Sequence, residues 1–371
     1  MKKSQFFERT DKIALFLLVV CLGFRDIYPS IGKDVYVFLA LIFAIPVMLL
    51  IRDLLCKRLT TKYFVGVLSV VLFYILIIPF NGNGAKYFLP LYVAAIAFRK
   101  LDYKYITIQF FFMQLIALCI RMFLQSNGML DERVWYTEKI EGGVSFDLGY
   151  GNPNALGMVS FFVCCYLYII MYEKRKWFAF FVVLLISLFS FGYTASRTSF
   201  YLSLLLMFAC FIPNRLLHEF VYQKIILLSL PLALLMSFFL SAYLLYNYSF
   251  VNIVLSGRLG LFSQLLSMFD TLFDFVTGIP IDVTDFDFPV DNVIAYMLIC
   301  GGIVFVLLFI IQYYIIVQYR NYIPAFMLVV LMLIVLSGLS ENYWAKFGYT
   351  GASFTWILLF NQSYINKNIR Q

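Results

Sequence analysis

Two arginines stand out among the residues that could do chemistry, because each lies beside small residues next to a long apolar run. Arg197 is flanked by Ser196 and Thr198, and Arg258 follows a Ser-Gly pair. A guanidinium binds phosphate through two parallel hydrogen bonds, and nearby hydroxyl groups can donate more. We therefore predict an anion site at both arginines, with Ser196 and Thr198 as further ligands. The alternative is that these turns only connect helices.

Two asparagines and a third arginine are candidate substrate-binding residues. The segment 151–157 reads Gly-Asn-Pro-Asn-Ala-Leu-Gly, in which Asn152 can cap a helix and the proline suits its first turn. The positive end of such a helix attracts anions, so Asn152 and Asn154 are either ligands or parts of an ordinary capped helix. Arg121 lies within an apolar run, where a charge is costly and often functional, unless the side chain snorkels to the surface.

Carboxylates are the candidate acid/base residues, because the only histidine, His218, lies in a short basic segment remote from the three arginines. Asp291 directly precedes an apolar run and is followed by Asn292, a further candidate for substrate binding. Asp291 can act as a base or orient a substrate hydroxyl, and N-capping of a helix is the competing explanation. Glu341 follows a later apolar run in a similar position and is the reserve candidate.

Metal and disulfide chemistry find little support in the sequence. The carboxylates of Asp282, Asp285 and Asp287 match no EF-hand spacing. The seven cysteines include no C-x-x-C pair and have no neighbouring histidine. We therefore predict neither a metal site nor a cofactor.

The composition shows what must position these residues. Of 371 residues, 63% are hydrophobic and 13% are charged, against about 45–50% and 25% in ordinary globular domains. Such a chain is not soluble. Its formal charge of +8 is scattered over short loops rather than gathered on one face, which argues against nucleic-acid binding.

The apolar runs predict an all-α, polytopic membrane protein with about twelve spans in a single transmembrane domain, residues 1–371. Continuous runs, rather than alternating ones, favour helices over a barrel. Several runs are short, so ten or eleven crossings is the alternative. The predicted spans are 13–28, 35–51, 63–80, 87–98, 105–124, 154–172, 177–193, 200–213, 225–246, 293–317, 323–339 and 352–365.

Charge distribution predicts the orientation. With the N-terminus inside, nineteen basic residues fall on the inside and eight on the outside, while six acidic residues lie inside and fourteen outside. Positive charge is retained on the cytoplasmic side, so both termini are predicted to be cytoplasmic. The two longest loops, 125–153 and 247–292, then lie outside together with the candidate residues. Within the second loop, residues 259–276 show a helical period with one apolar face, which predicts an interfacial amphipathic helix. It is either a lid beside the site or a surface helix.

These motifs together resemble the O-antigen polymerase (Wzy) family of bacterial surface-polysaccharide enzymes, which is related to the O-antigen ligases. The resemblance rests on the Gly-Asn-Pro-Asn segment, the Ser196-Arg197-Thr198 turn, Ser256-Gly257-Arg258, and Asp291-Asn292 ahead of Gly301-Gly302, in that order. The related ligases show a His-Asn pair where this chain has Asp291-Asn292. That difference favours a polymerase.

The resemblance implies a C-type membrane glycosyltransferase of the bacterial cytoplasmic (inner) membrane that acts on its outer face without nucleotide or metal. Its substrates would be oligosaccharides on undecaprenyl pyrophosphate within membrane lipid, and a chain-length regulator and a flippase would be its protein partners. Arg197, Arg258 and Arg121 would offset the departing pyrophosphate charge. The alternatives are a ligase that transfers polymer to lipid A core, and a flippase or carrier of lipid-linked oligosaccharide.

Overall fold

The computed structural model describes residues 2–27, 36–130, 134–137, 143–212, 214–248, 250, 252, 258–280, 290–346 and 349–363. Its helices in the first half are α1 (Lys2–Ile27), α2 (Tyr36–Leu55), α3 (Thr61–Ile77), the π-helical turn Gly84–Phe88 leading into α4 (Leu89–Phe98), α5 (Tyr103–Ser126), α6 (Pro153–Met171) and α7 (Lys176–Thr194). Those in the second half are α8 (Arg197–Ala209), α9 (Asn214–Val221), α10 (Lys224–Phe239), α11 (Ser241–Asn247), α12 (Arg258–Ser267), α13 (Leu272–Thr277), α14 (Val293–Gln318), α15 (Ala325–Ser337) and α16 (Thr350–Phe360).

The chain is mostly helical, and each predicted span contains a helix. Among the described residues, five helices are long and apolar enough to cross a membrane: α2, α5, α6, α7 and α14. A sixth span results if the bent pair Arg215–Val221 and Lys224–Phe239 is one crossing. Five further apolar helices have only 10–17 residues. The predicted count of about twelve crossings is therefore not confirmed, while the architecture is compatible with a multi-pass membrane protein.

The predicted outer loop 125–153 contains a short antiparallel hairpin, which the all-α prediction did not include. Strand β1 (Val134–Thr137) pairs with β2 (Gly143–Phe146), with Val134 opposite Phe146. The ring of Phe146 packs against Tyr193 at the end of α7, with 4.9 Å between the ring centroids. The hairpin is thus attached to the helices at that end.

The segment predicted as one amphipathic helix, 259–276, forms two helices, α12 and α13. Leu259, Phe262 and Leu265 are fully buried, as the apolar period requires. The helix stops before Thr271 because a capping box starts a new one: Asp274 N donates to Thr271 Oγ1, and Thr271 N donates to Asp274 Oδ2 at 2.8 Å. The acidic cluster Asp282, Asp285 and Asp287 lies outside the described residues.

Helix α14 is kinked at Gly302, where the backbone has φ of +63°. A Cβ at this position would lie 2.1 Å from the carbonyl oxygen of Val276, so only glycine lets α13 approach this closely. The α3–α4 hairpin satisfies carbonyls next to the kink: Tyr74 Oη donates to Gly301 O at 2.8 Å, and Asn81 Nδ2 donates to Ile299 O at 3.0 Å. Asn81 Nδ2 also donates to Thr277 O, at the end of α13, at 2.9 Å.

Charged and polar residues are concentrated at two opposite ends of the helices. At the site end, as we call it, the last turns of α1, α5, α7 and α15 meet the first turns of α6, α8, α14 and α16. Contacts there join Arg121 to Asp26 O, and Thr198 to Ser340. At the basic end, the start of α1 meets the end of α2 through Asp11 and Arg52.

Candidate functional site

A polar cavity of about 270 Å³ opens at the site end, between the first turns of α6, α14 and α16 and the turn after α15. Four of the predicted site residues line it: Asn152, Asn154, Asp291 and Glu341. Its remaining wall carries amide, ammonium and phenol groups. They belong to Asn342, Lys346, Tyr150, Tyr343 and Tyr349.

An arginine joins the two carboxylates of this cavity. Arg258 Nε donates to Asp291 Oδ2 at 2.9 Å, and its Nη2 lies 3.6 Å from Glu341 Oε1. The three side chains are 15%, 17% and 10% exposed, so water screens the contacts only in part. Arg258 thus contacts both carboxylates of the cavity.

Backbone contacts fix the spacing of the two carboxylates. Val293 N, at the start of α14, donates to Gly338 O just after α15 at 3.0 Å. Asn342 Nδ2 donates to Val290 O at 2.6 Å, so the residues next to Asp291 and Glu341 are tied together. The pair therefore forms part of a rigid junction between two helix ends.

Asn292, and not Asp291, caps helix α14. Its Oδ1 accepts from Ile294 N at 2.9 Å and Ala295 N at 3.1 Å, and its Nδ2 donates to Ser237 Oγ at 3.1 Å. The residue is completely buried. The capping explanation offered for Asp291 therefore belongs to its neighbour, and the Asn292 side chain is directed into the protein.

The Gly-Asn-Pro-Asn segment starts α6 as predicted, with Asn152 Oδ1 accepting from Asn154 N at 2.7 Å. Gly157, one turn further, packs on the start of α8: a Cβ there would lie 2.6 Å from Ser196 Cβ. Ser196 is consequently buried behind α6. The motif's second glycine is explained by this close approach of two helices.

The predicted arginine turn lies beside the cavity. Thr198 Oγ1 is 3.1 Å from Ser340 Oγ, which places the first turn of α8 next to the residue preceding Glu341. Arg197 is exposed there. The structure thus brings this turn close to the carboxylates, although Ser196 itself faces α6.

The Arg121 side chain does not line the polar cavity, where a substrate-binding residue is expected. Its Nη1 donates to Leu148 O at 2.7 Å, its Nη2 donates to Asp26 O, and its guanidinium lies 3.7 Å from the ring centroid of Tyr150. The side chain is almost fully buried. It connects the end of α1 to the loop before α6 and supports the wall of the cavity from behind.

Sequence reasoning missed the aromatic and cationic wall of the cavity. Tyr349 lies between two cations, with Arg25 Cζ 5.0 Å and Lys346 Nζ 5.3 Å from its ring centroid. Burial raises the pKa of Tyr150 and of Tyr343, so both phenols stay protonated to a higher pH than an exposed tyrosine does. The signal was present: Arg25 and Lys346 are on the predicted outside, against the charge bias, as are Arg197 and Arg258.

In the part of the chain that the structure describes, no group of three or more His, Cys, Asp or Glu residues is close enough to hold a metal ion. His218 lies in α9, away from the residues that line the cavity.

Comparison with known proteins returns no family model, no curated protein and no solved structure that matches this chain. The fold and the site define a mostly helical chain, compatible with a multi-pass membrane protein, that has a charged cavity at one end.

Proposed function

We propose that this protein is a membrane glycosyltransferase that transfers a growing glycan from a polyprenyl pyrophosphate to a lipid-linked repeat unit. The observation that carries the proposal is the ion trio of Arg258, Asp291 and Glu341 at a cavity lined by amides and tyrosines. Carboxylates and amides bind sugar hydroxyl groups, and aromatic rings pack against sugar faces. The proposal extends the resemblance to the O-antigen polymerases, and it is supported by the position of Asn152, Asn154 and Asp291 in the wall of one cavity.

The proposed reaction needs one base and several cations. The acceptor hydroxyl attacks the anomeric carbon, the bond from that carbon to the pyrophosphate oxygen breaks, and the hydroxyl proton passes to a carboxylate. Asp291 takes this proton, since it lines the cavity and is not occupied in capping. The leaving pyrophosphate keeps the electron pair of the broken bond, and nearby cations stabilise it.

The cations divide into two groups in this scheme. Arg258 holds Asp291 and Glu341 at a fixed spacing and offsets part of their charge. Lys346, in the cavity wall, and the exposed Arg197 beside it add the positive charge that a pyrophosphate requires. Holding two membrane-anchored substrates side by side would supply much of the remaining acceleration.

The alternatives make different demands on the same residues. A carrier needs charges along the interior of several spans, whereas Arg121, which lies within a predicted span, is bound by two backbone carbonyls. A ligase would use the same cavity with a different acceptor. A polymerase and a ligase are therefore distinguished by the acceptor that they use, and not by the geometry of the cavity.

The test is direct. Purified protein in lipid nanodiscs is incubated with a polyprenyl-pyrophosphate-linked repeat unit, and the products are separated on a gel. A polymerase yields a ladder from this single substrate, whereas a ligase yields product only when lipid A core is added. Absence of product in both mixtures, from protein that is folded and monodisperse, contradicts the proposal.

A further inference from the structure

A second, larger cavity lies against the same loop as the polar one. It is a groove of about 660 Å³ between α5 and α7, with α6 as its floor. This volume is within the range of pockets that hold small ligands, about 300–1,000 Å³. All three helices are among those long and apolar enough to cross a membrane.

The groove is apolar along its length and polar at one end. Leu115 and Leu118 of α5 face Leu185 and Ile186 of α7 in its deeper part. At the site end, Tyr193 Oη donates to Gln125 Oε1 at 2.9 Å across the mouth. The polarity of the walls therefore matches a molecule with a long apolar chain and a polar group at one end.

A short segment, residues 148–156, separates the groove from the polar cavity. Leu148 and Leu156 line the groove, while Tyr150, Asn152 and Asn154, between them in sequence, line the polar cavity. The two spaces thus lie on either side of one loop and one helix start. An amphiphile whose chain occupies the groove has its polar group beside the cavity that contains Asp291.

We propose that the groove binds the head-proximal isoprene units of a polyprenyl carrier and so positions the attached pyrophosphate and sugar at the polar cavity. This inference rests on the proposed function. The groove is apolar between α5 and α7 and ends beside the polar cavity, so it suits the carrier whose pyrophosphate and sugar that cavity is proposed to bind. Lipid tails are as apolar as leucine, so the chain gains packing rather than hydrophobic free energy.

The experiment uses a polyprenyl monophosphate with a photoreactive diazirine near the phosphate, added to the full chain in nanodiscs. Labelled peptides are mapped by mass spectrometry. Leu185→Trp fills the groove, and Leu188→Trp is the matched control, because Leu188 lies on the same helix outside the groove with similar exposure, 51% against 66%. We expect labelling of α5 and α7 in the wild type. Labelling should be about tenfold lower in Leu185→Trp, because the indole takes the place of the polyprenyl chain and the chain loses its apolar contacts with the groove. Labelling should be unchanged in Leu188→Trp.

A competition experiment identifies which lipid occupies the groove. Unlabelled polyprenyl phosphate should abolish the labelling, and an equal excess of phospholipid should leave it unchanged. Equal competition by both lipids, or equal loss of label in the two tryptophan variants, overturns the inference.

The outcomes also separate this inference from the proposed function. Specific labelling of the groove by a protein that makes no glycan product would retain the groove and reject the transferase. Leu185→Trp could also form a normal ladder, at the wild-type rate and with the wild-type dependence on substrate concentration. That result would support the transferase activity and contradict polyprenyl binding in the groove.

Discussion

Each end of the molecule has an arginine placed between two carboxylates, yet the two clusters differ in what lies beside them. At the basic end, Arg52 lies 2.5 Å from Asp11 and 2.6 Å from Asp53, and Arg58 contacts the same two carboxylates at 3.6 and 3.3 Å. Both guanidinium groups also lie over the ring of Phe7, at 5.3 and 4.4 Å from its centroid. Two cations therefore match two anions, and an aromatic ring covers them.

The cluster at the site end borders a cavity instead. Arg258 contacts Asp291 and Glu341, and both carboxylates line the open space. A partly buried ion pair adds little net stability, but removing one partner leaves the other charge uncompensated and is costly. What distinguishes the cluster at the site end is that its carboxylates border a space that can hold a ligand. The comparison predicts that substitutions at the site end impair activity and that those at the basic end impair stability.

The largest effect is expected from Asp291→Asn. Asparagine keeps an oxygen acceptor for Arg258 but cannot take up a proton, so turnover should fall by about a thousandfold, within the range attributed to general bases. The rate of ladder formation and the melting temperature should be measured together. Asp270→Asn, an exposed carboxylate of the same region, is the control and should be silent. Near-normal chain extension by Asp291→Asn would move the proton acceptor to Glu341.

Alanine substitutions of Arg258 at the site end and Arg52 at the basic end compare the two clusters directly. Arg258→Ala should lower turnover by about a hundredfold or more, because the carboxylates lose their common partner and their fixed spacing. Arg258→Lys should retain only part of the wild-type turnover, since lysine lacks the planar guanidinium group that can contact both carboxylates. Arg52→Ala should leave turnover per folded molecule unchanged and cost about 2 kcal/mol of stability, as Arg58 still contacts both aspartates. An inactive but stable Arg52→Ala variant would remove the distinction between the two clusters.

The smallest effect is expected from substitutions of Asn292, the residue next to Asp291. Asn292→Ala removes the cap of α14 and should cost about 1 kcal/mol of stability. Its melting temperature should fall, while turnover of the folded fraction changes much less than in Asp291→Asn. Asn292→Ser, whose neutral hydroxyl can still cap the helix, should recover part of the loss. A greater loss of turnover in Asn292→Ala than in Asp291→Asn would contradict the assignment of the cap.

The sequence was most informative where a local pattern decides the structure. Continuous apolar runs located a helix in every predicted segment, and the Asn-Pro pair correctly marked the start of α6. Run length did not determine how many helices cross a membrane. Helix α14 has 26 residues with a kink at Gly302, whereas α15 has only 13 and ends in a turn after Ser337.

Long-range contacts were beyond the reach of sequence patterns. Arg258, Asp291 and Glu341 were each chosen for separate reasons, and their pairing depends on how α12, α14 and α15 pack. Asp291 and Asn292 show the limit most clearly, since the sequence permitted either to cap the helix. Arg121 satisfied every criterion for a functional intramembrane charge, yet its guanidinium completes the hydrogen bonding of two carbonyls.

The amide of Asn81 also sets a condition on the order of assembly. It bonds to Ile299, which lies 218 residues later in the chain. At ribosomal rates of about 5–20 residues per second, Ile299 is synthesised roughly 10–40 s after Asn81. During that interval the amide has to be satisfied by water or by a transient partner, because hydrocarbon offers it none. The tip of the α3–α4 hairpin should therefore stay hydrated until α14 inserts, and the kink at Gly302 should be among the last features of the nascent protein to form.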